Sequence, residues 1–116
     1  MGFKAMLATA VLVVGLMGVA QPATADVRMF VRHEVSDYGT WRKAYDAFDA
    51  TRRKLGVISQ SVYRSADDPN DVTVMHDFRT LEQAKAFAAS AELKSAMENA
   101  GVKGPPQIWY TTRAPK

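Results

Sequence analysis

The chain has 116 residues, a formal charge of +3 at pH 7 and no cysteine. Without cysteine there can be no disulfide framework, no thiolate nucleophile and no thiol for lipid attachment. The charges are mixed along the chain and form no long basic stripe, so we expect no nucleic-acid partner.

Residues 1–25 predict a cleavable secretory signal peptide. Lys4 provides a positive start, residues 5–20 contain no charged side chain, and Ala23-Thr24-Ala25 has the small-x-small pattern of a processing site. The apolar run is shorter than the roughly 20 residues of a membrane-spanning helix. We therefore expect an exported protein, in a bacterial periplasm or secreted, with no stable membrane insertion after processing. An uncleaved N-terminal membrane helix is the alternative interpretation.

Residues 26–116 predict one domain with the element order β-α-β-β-α-α-β. Alternation from Val27 to Val35 predicts a strand with one buried face. The later elements follow from helical spacing, capping residues and turn formers. The predicted elements are a strand over 27–35, one helix over 40–55 capped by Asp37 or Thr40 and ended by Gly56, strands over 57–65 and 72–78, a helix capped by Thr80, a helix over 91–100 capped by Ser90 and, after a break at Gly104-Pro105-Pro106, a strand over 107–113.

This order predicts an α+β, ferredoxin-like fold with a four-stranded antiparallel sheet and helices on one face. Strand parity places Phe30 and Arg32 on the uncovered face, where Trp109 or Tyr110 joins them. A domain of this size hides a modest share of its surface, so we expect a homodimer that covers this face. A monomeric interaction domain, whose sheet face binds another protein, is the alternative.

The two histidines, His33 and His76, are the candidate catalytic residues. Each shares its strand parity with apolar residues, so both are expected to face the helices. A histidine in an apolar pocket suits a general base that removes a proton from a phenol-like compound, although it can also be a core residue that only packs. Matching the first and third strands by their centres places His76 opposite a residue near Phe30, roughly 10 Å from His33. We therefore predict no shared metal site.

Aromatic side chains supply candidates for a ligand pocket. Trp41, Tyr45 and Phe48 form a helical stripe that suits a flat ligand or an ordinary core. Tyr63 and Trp109 each combine a large apolar body with a hydrogen-bonding tip, which suits a pocket wall or simple packing. The predicted substrate-binding residues are Trp41, Tyr45, Tyr63, Phe78 and Trp109.

Three charged features have structural interpretations. The cations of Arg52-Arg53-Lys54 complement the negative end of a helix dipole. Asp77 points away from His76 and is expected to pair with Arg32 on the neighbouring strand. The acidic loop 67–71 lacks the spacing of a calcium loop and predicts a turn.

The segments VRHEVSDYGTWRKAYDAF and VTVMHDFRTLEQAKAFAASAELKSAMENAGV, with the element order, resemble the antibiotic biosynthesis monooxygenase-like (ABM) family of dimeric α+β barrels. The resemblance implies a ligand pocket between sheet and helices and a barrel closed by two sheets. It further implies oxidation of a quinol-like or polyketide-like aromatic compound without a cofactor. A noncatalytic ligand-binding or stress-related protein on the same fold is the alternative.

The chain departs from two family patterns. The Asn, Trp and His of the haem-degrading members have no counterpart, since Phe78 stands at the Trp position and the following helices contain no histidine. Glu92 or Leu93 stands where many quinol-oxygenase relatives have a histidine. The resemblance therefore supports the fold better than any activity.

Overall fold

Alternating and helical apolar patterns produce eight elements over residues 26–116, which are the residues described by the computed structural model. The predicted signal peptide, residues 1–25, lies outside them. The elements are β1 (Val27–Val35), α1 (Tyr38–Ala47), α2 (Asp49–Lys54), β2 (Ser59–Arg64), β3 (Asp71–Phe78), α3 (Leu81–Ala88), α4 (Ala91–Asn99) and β4 (Val102–Thr112).

The strands form one antiparallel sheet in the order β2-β3-β1-β4. This arrangement confirms the predicted α+β, ferredoxin-like fold. Every second residue of β1, from Val27 to Val35, is buried, and the helices cover this inner face. No helix within residues 26–116 has the length and apolar character needed to span a membrane.

The core has two groups of buried apolar residues. One contains Met29 and Phe78 and packs under α3, and the other contains Trp41 and Val74 and packs under α1. Capping fixes the helices over this core as predicted. Thr80 Oγ1 accepts from the Gln83 N–H at 3.1 Å, and Ser90 Oγ accepts from the Leu93 N–H at 3.1 Å.

The predicted single helix over 40–55 is wrong, because the chain turns at Phe48 between α1 and α2. The Phe48 N–H is shared between the carbonyls of Ala44 and Tyr45, at 3.2 and 3.1 Å. Of the two predicted caps, Asp37 is the N-cap of α1, since its Oδ2 accepts a hydrogen bond from the Thr40 N–H at 2.9 Å. Phe48 therefore separates two shorter helices, α1 and α2.

The last strand begins at Val102, so the predicted break at 104–106 is wrong. β4 is an edge strand, where proline is tolerated because its missing N–H is not needed by an outer neighbour. The register with β1 shifts between Arg32 and Glu34, so that residues 104–106 bulge opposite His33. The positive φ of 71° at Gly104 fits this bulge.

The β1–β3 register places His76 opposite Met29 and His33 opposite Val72. It confirms that the two histidines are not cross-strand partners. The predicted Asp77–Arg32 pair is wrong, because Arg28 is directly opposite Asp77. The Arg28 Nε lies 2.8 Å from the Asp77 Oδ1. Arg32 instead pairs with Asp71 at 2.6 Å.

The outer face of the sheet carries an aromatic stack. The rings of Phe30 and Trp109 are parallel within 5° and their centroids are 5.1 Å apart. Of the two residues predicted for this face, Trp109 lies there, and Tyr110 packs against the core. Trp109 is 41% exposed and Tyr63, on the same face, is 57% exposed.

Candidate functional site

A cavity lies between the inner face of the sheet and helices α1, α2 and α4. The space open to the centres of water-sized molecules is about 40 Å³, which exceeds the roughly 10–15 Å³ that one water needs. A ring-sized ligand therefore fits only if a flexible wall residue such as Met97 moves. The polar lining residues are His33, Tyr45, Arg52 and His76, and the apolar ones are Val31, Trp41, Ala44, Phe48, Val74, Leu93, Ala96, Met97 and Ala100.

Helix α1 supplies the aromatic wall. Trp41, in its first turn, is buried and stacks on Tyr45 with ring centroids 4.8 Å apart. The same indole meets the His33 ring edge-on at 5.7 Å. The cap at Asp37 sets where α1 begins and therefore which residues face the sheet.

His33 and His76 both lie in the cavity wall as neutral imidazoles at pH 7. His33 is 6% exposed, and burial lowers its pKa to about 4 against the opposing effect of Asp71. His76 is 3% exposed, and burial, followed by the charges of Arg52 and His33, lowers its pKa to about 3. Both shifts arise mainly because the charged form loses its hydration in an apolar site.

Arg52 is the unexpected member of the site. Its side chain is 2% exposed, although arginine is rarely fully buried. Nη1 donates to the Tyr45 carbonyl at 2.6 Å, and Nη2 donates to Asp49 Oδ1 at 3.3 Å. The guanidinium carbon is 3.7 Å from the centroid of the Tyr45 ring, a cation–π contact.

Buried polar atoms without partners are concentrated here. Within residues 26–116, the fully buried side-chain nitrogen and oxygen atoms that lack a hydrogen-bond partner are both ring nitrogens of His33, Nδ1 of His76, the Tyr45 hydroxyl and Nε of Arg52. All four residues line this cavity. An unpaired buried polar atom costs about 1–3 kcal/mol, so a ligand or water that bonds to these atoms recovers this free energy.

Neither a protein-family model nor a curated protein matches the chain. Solved structures match it over most of their length. SnoaB, a cofactor-independent oxygenase from Streptomyces nogalater, is 14% identical with a TM-score of 0.63, covering 79% of this chain and 97% of that one. The monooxygenase from ActVA-Orf6 of Streptomyces coelicolor, solved with nanaomycin D, is 20% identical with a TM-score of 0.60, covering 79% and 90%.

A conserved protein from Methanosarcina mazei Go1 is 12% identical with a TM-score of 0.64, covering 79% of this chain and 96% of that one. This chain shares its fold with ABM-family structures. At such identities the shared property is the fold, so the chemistry must be argued from this chain's own side chains. In this fold the inner-face positions of β1 and β3 carry the two histidines.

The structure brings four of the predicted site residues together, namely His33, His76, Trp41 and Tyr45. The other three predicted site residues lie elsewhere. Trp109 is opposite Phe30 in the ladder and so lies on the outer face, as does Tyr63. Phe78 is in the core against Phe87, with ring centroids 5.5 Å apart.

Sequence analysis missed the role of Arg52. The residues 41, 45 and 48 of the aromatic stripe are followed at helical spacing by 52, so Arg52 continues that stripe. Arg52 lies three residues before the predicted end of the helix, and it was therefore interpreted as a cation that complements the negative end of the helix dipole. No group of three or more metal-ligating side chains lies together in the part of the chain that the structure describes.

Proposed function

We propose that this protein is an exported homodimer that binds a small aromatic compound in the cavity and oxidises it as a cofactor-independent monooxygenase. The substrate is quinol-like or polyketide-like. The observation that carries the proposal is a pair of buried, neutral histidines facing one aromatic-walled cavity. The fold shared with SnoaB and with the ActVA-Orf6 monooxygenase supports it.

His33 is the better candidate for the general base. Both of its ring nitrogens lack a partner, so one is free to accept a proton from a bound ligand. Its pKa, about 4, is lowered less than that of His76, which also experiences the positive charge of Arg52. A base must be neutral before it accepts a proton, and His33 meets that condition at pH 7.

The proposed reaction balances without a cofactor. His33 takes a proton from the substrate, and the resulting carbanion supplies electrons to O₂. For a ring methylene, CH₂ and O₂ give C=O and H₂O. The substrate provides all four electrons, one oxygen atom enters the product and the other leaves as water.

Oxygen uptake tests this proposal. The purified protein is mixed with a reduced naphthoquinol or an anthrone in an oxygen electrode, with isotopically labelled O₂ in a parallel sample. We expect uptake above the spontaneous rate and one labelled oxygen atom per product molecule. Uptake equal to that of heat-denatured protein would reject the oxidation.

A noncatalytic ligand-binding or stress-related protein is the second candidate. It is favoured by the small cavity and by the absence of histidine from the sequence of α3 and α4, where the resemblance implies that Glu92 or Leu93 replaces the histidine of many quinol-oxygenase relatives. This candidate predicts that an aromatic compound binds and dissociates unchanged. Product analysis after prolonged incubation separates the two functions.

The outer face of the sheet is the proposed dimer surface. The Phe30–Trp109 stack and Tyr63 give it exposed aromatic area. Aromatic residues are enriched where protein surfaces meet. Export is proposed from the N-terminal pattern alone, and N-terminal sequencing of the protein from the exported fraction tests it.

A further inference from the structure

The cavity wall carries a cation and no acid. Arg52 is permanently charged, and Asp and Glu are absent from the described lining residues. The Arg52 Nε–H can only donate, and the Tyr45 hydroxyl and a neutral His33 can each donate one hydrogen bond. The unpaired atoms of the cavity therefore include donors from Arg52, Tyr45 and His33, beside the acceptor nitrogen of His33.

The charge of Arg52 is only partly balanced by the protein. Asp49 is its one carboxylate contact among residues 26–116, at 3.3 Å, and the same carboxylate also accepts from Arg53 Nε at 3.1 Å. Asp49 further accepts from the Gln60 amide at 3.3 Å. Two guanidinium groups thus share one carboxylate, and the more buried of them faces the cavity.

Burial makes this imbalance costly. Removing a charge from water is strongly unfavourable unless the charge is fully paired and hydrogen-bonded. A ligand oxygen with negative charge would supply the missing acceptor, and charge-assisted hydrogen bonds are roughly twice as strong as neutral ones. A neutral ligand would form weaker hydrogen bonds with Arg52, and the positive charge of Arg52 would repel a cationic ligand.

We propose that the ligand of this cavity is a small monoanion, a carboxylate on a flat apolar body. Its oxygens accept from Arg52 Nε and from the Tyr45 hydroxyl, and its body lies against Trp41. This inference rests on one part of the proposed function, namely that the ligand binds in this cavity. It does not depend on the oxidation. A quinol-like compound that carries a carboxyl group would fit both the proposed oxidation and the anion site.

Calorimetric titration with benzoate and benzamide tests the inference, because the two probes share a ring and differ in charge. Acetate serves as the probe that fits without movement of the wall. We expect benzoate to bind the purified protein at least about tenfold more tightly than benzamide at low salt. Equal affinity for the two, or no binding of either benzoate or acetate up to about 10 mM, would overturn the proposal.

Two variants of adjacent arginines localise the effect. Arg52→Met should remove the preference for benzoate, whereas Arg53→Met should keep it, since Arg53 is exposed and outside the cavity lining. An equal loss in both variants would show that only net charge matters and would contradict the proposal. If Arg52→Met does not fold, Tyr45→Phe keeps the ring, removes the hydroxyl donor and should weaken benzoate binding by about threefold or more.

These titrations contain no oxidisable compound, so the measured affinities do not depend on whether the protein is an oxygenase. Oxygen uptake with neutral quinols and no preference for benzoate would leave the proposed function and reject the anion site. A preference for benzoate that depends on Arg52, without any oxygen uptake, would keep the anion site and reject the oxidation.

Discussion

Arg52 lies against Tyr45 in two ways at once, since its guanidinium carbon is 3.7 Å from the ring centroid and its Nη1 donates to the Tyr45 carbonyl at 2.6 Å. Both contacts span the junction at Phe48 between α1 and α2. A cation is thereby held in the wall of an otherwise apolar cavity. Four predictions follow from this arrangement and from the rest of the fold.

Replacing Arg52 should destabilise the domain far more than replacing its neighbour. Arg52→Ala removes the hydrogen bond to the Tyr45 carbonyl and the packing of a buried stem, and should lower the free energy of unfolding by about 2–4 kcal/mol. Arg53→Ala, at an exposed site, should change it by less than about 0.5 kcal/mol. Urea unfolding of the two variants measures both values, and equal losses would show that Arg52 is not a packed part of the core.

Stability should fall as pH falls from about 6.5 to about 4, because the histidines are buried as neutral rings. In the native state the pKa is about 4 for His33 and about 3 for His76, whereas an unfolded histidine has a pKa near 6.5. Between these values the unfolded chain binds protons that the native chain does not. Each histidine should therefore remove up to about 1.4 kcal/mol per pH unit.

His33→Phe is the control for this pH dependence, since it removes one titrating group and should flatten the curve. The hydrogen bond from Arg32 holds the pKa of Asp71 below the usual 3.8. Burial raises the pKa of Asp77, but the hydrogen bonds from Arg28 and Ser59 together outweigh burial and hold that pKa below 3.8 as well. Their stabilisation is therefore lost only at lower pH. Urea unfolding at several pH values makes the measurement, and a stability that is constant from pH 7 to about 4.5 would contradict buried neutral histidines.

Disrupting the outer sheet face should separate the proposed dimer. Trp109→Ser removes the stack on Phe30 and should convert a dimer into a monomer, as measured by light scattering after size-exclusion chromatography. Leu81→Ser is a matched control, because Leu81 is an exposed apolar residue on α3, away from this face. A monomeric unmodified protein would instead favour the interaction domain that the sequence left open.

The sheet could be predicted from sequence because its signals are local. Alternation in β1 fixed the inner face, and the caps Thr80 and Ser90 fixed the starts of α3 and α4. These signals also placed His33, His76, Trp41 and Tyr45 on the side where the cavity lies. Strand parity decides the placement of the two histidines, and helical spacing decides that of Trp41 and Tyr45.

The missed features depend on contacts between distant residues. Phe48 has no helix-breaking side chain. Helical spacing places Arg52 on the aromatic stripe, but it does not reveal the hydrogen bond from the guanidinium to the Tyr45 carbonyl. The bulge opposite His33 depends on how β4 pairs with β1, and a strand carrying two prolines is tolerated because it is at the sheet edge. Tyr63 and Trp109 were assigned to a pocket by their chemistry, although their parity places them outside it.

Steady-state oxygen uptake by His33→Phe tests the central claim most directly. With the quinol or anthrone that the unmodified protein oxidises, we expect kcat to fall by about 10²–10⁴-fold and KM to change little, because the base acts on the bound substrate. His76→Phe should lower kcat less, and Arg53→Gln, outside the cavity lining, should retain the full rate. A His33→Phe protein that folds normally and keeps its kcat within about threefold of the unmodified protein would contradict the assignment of His33 as the base.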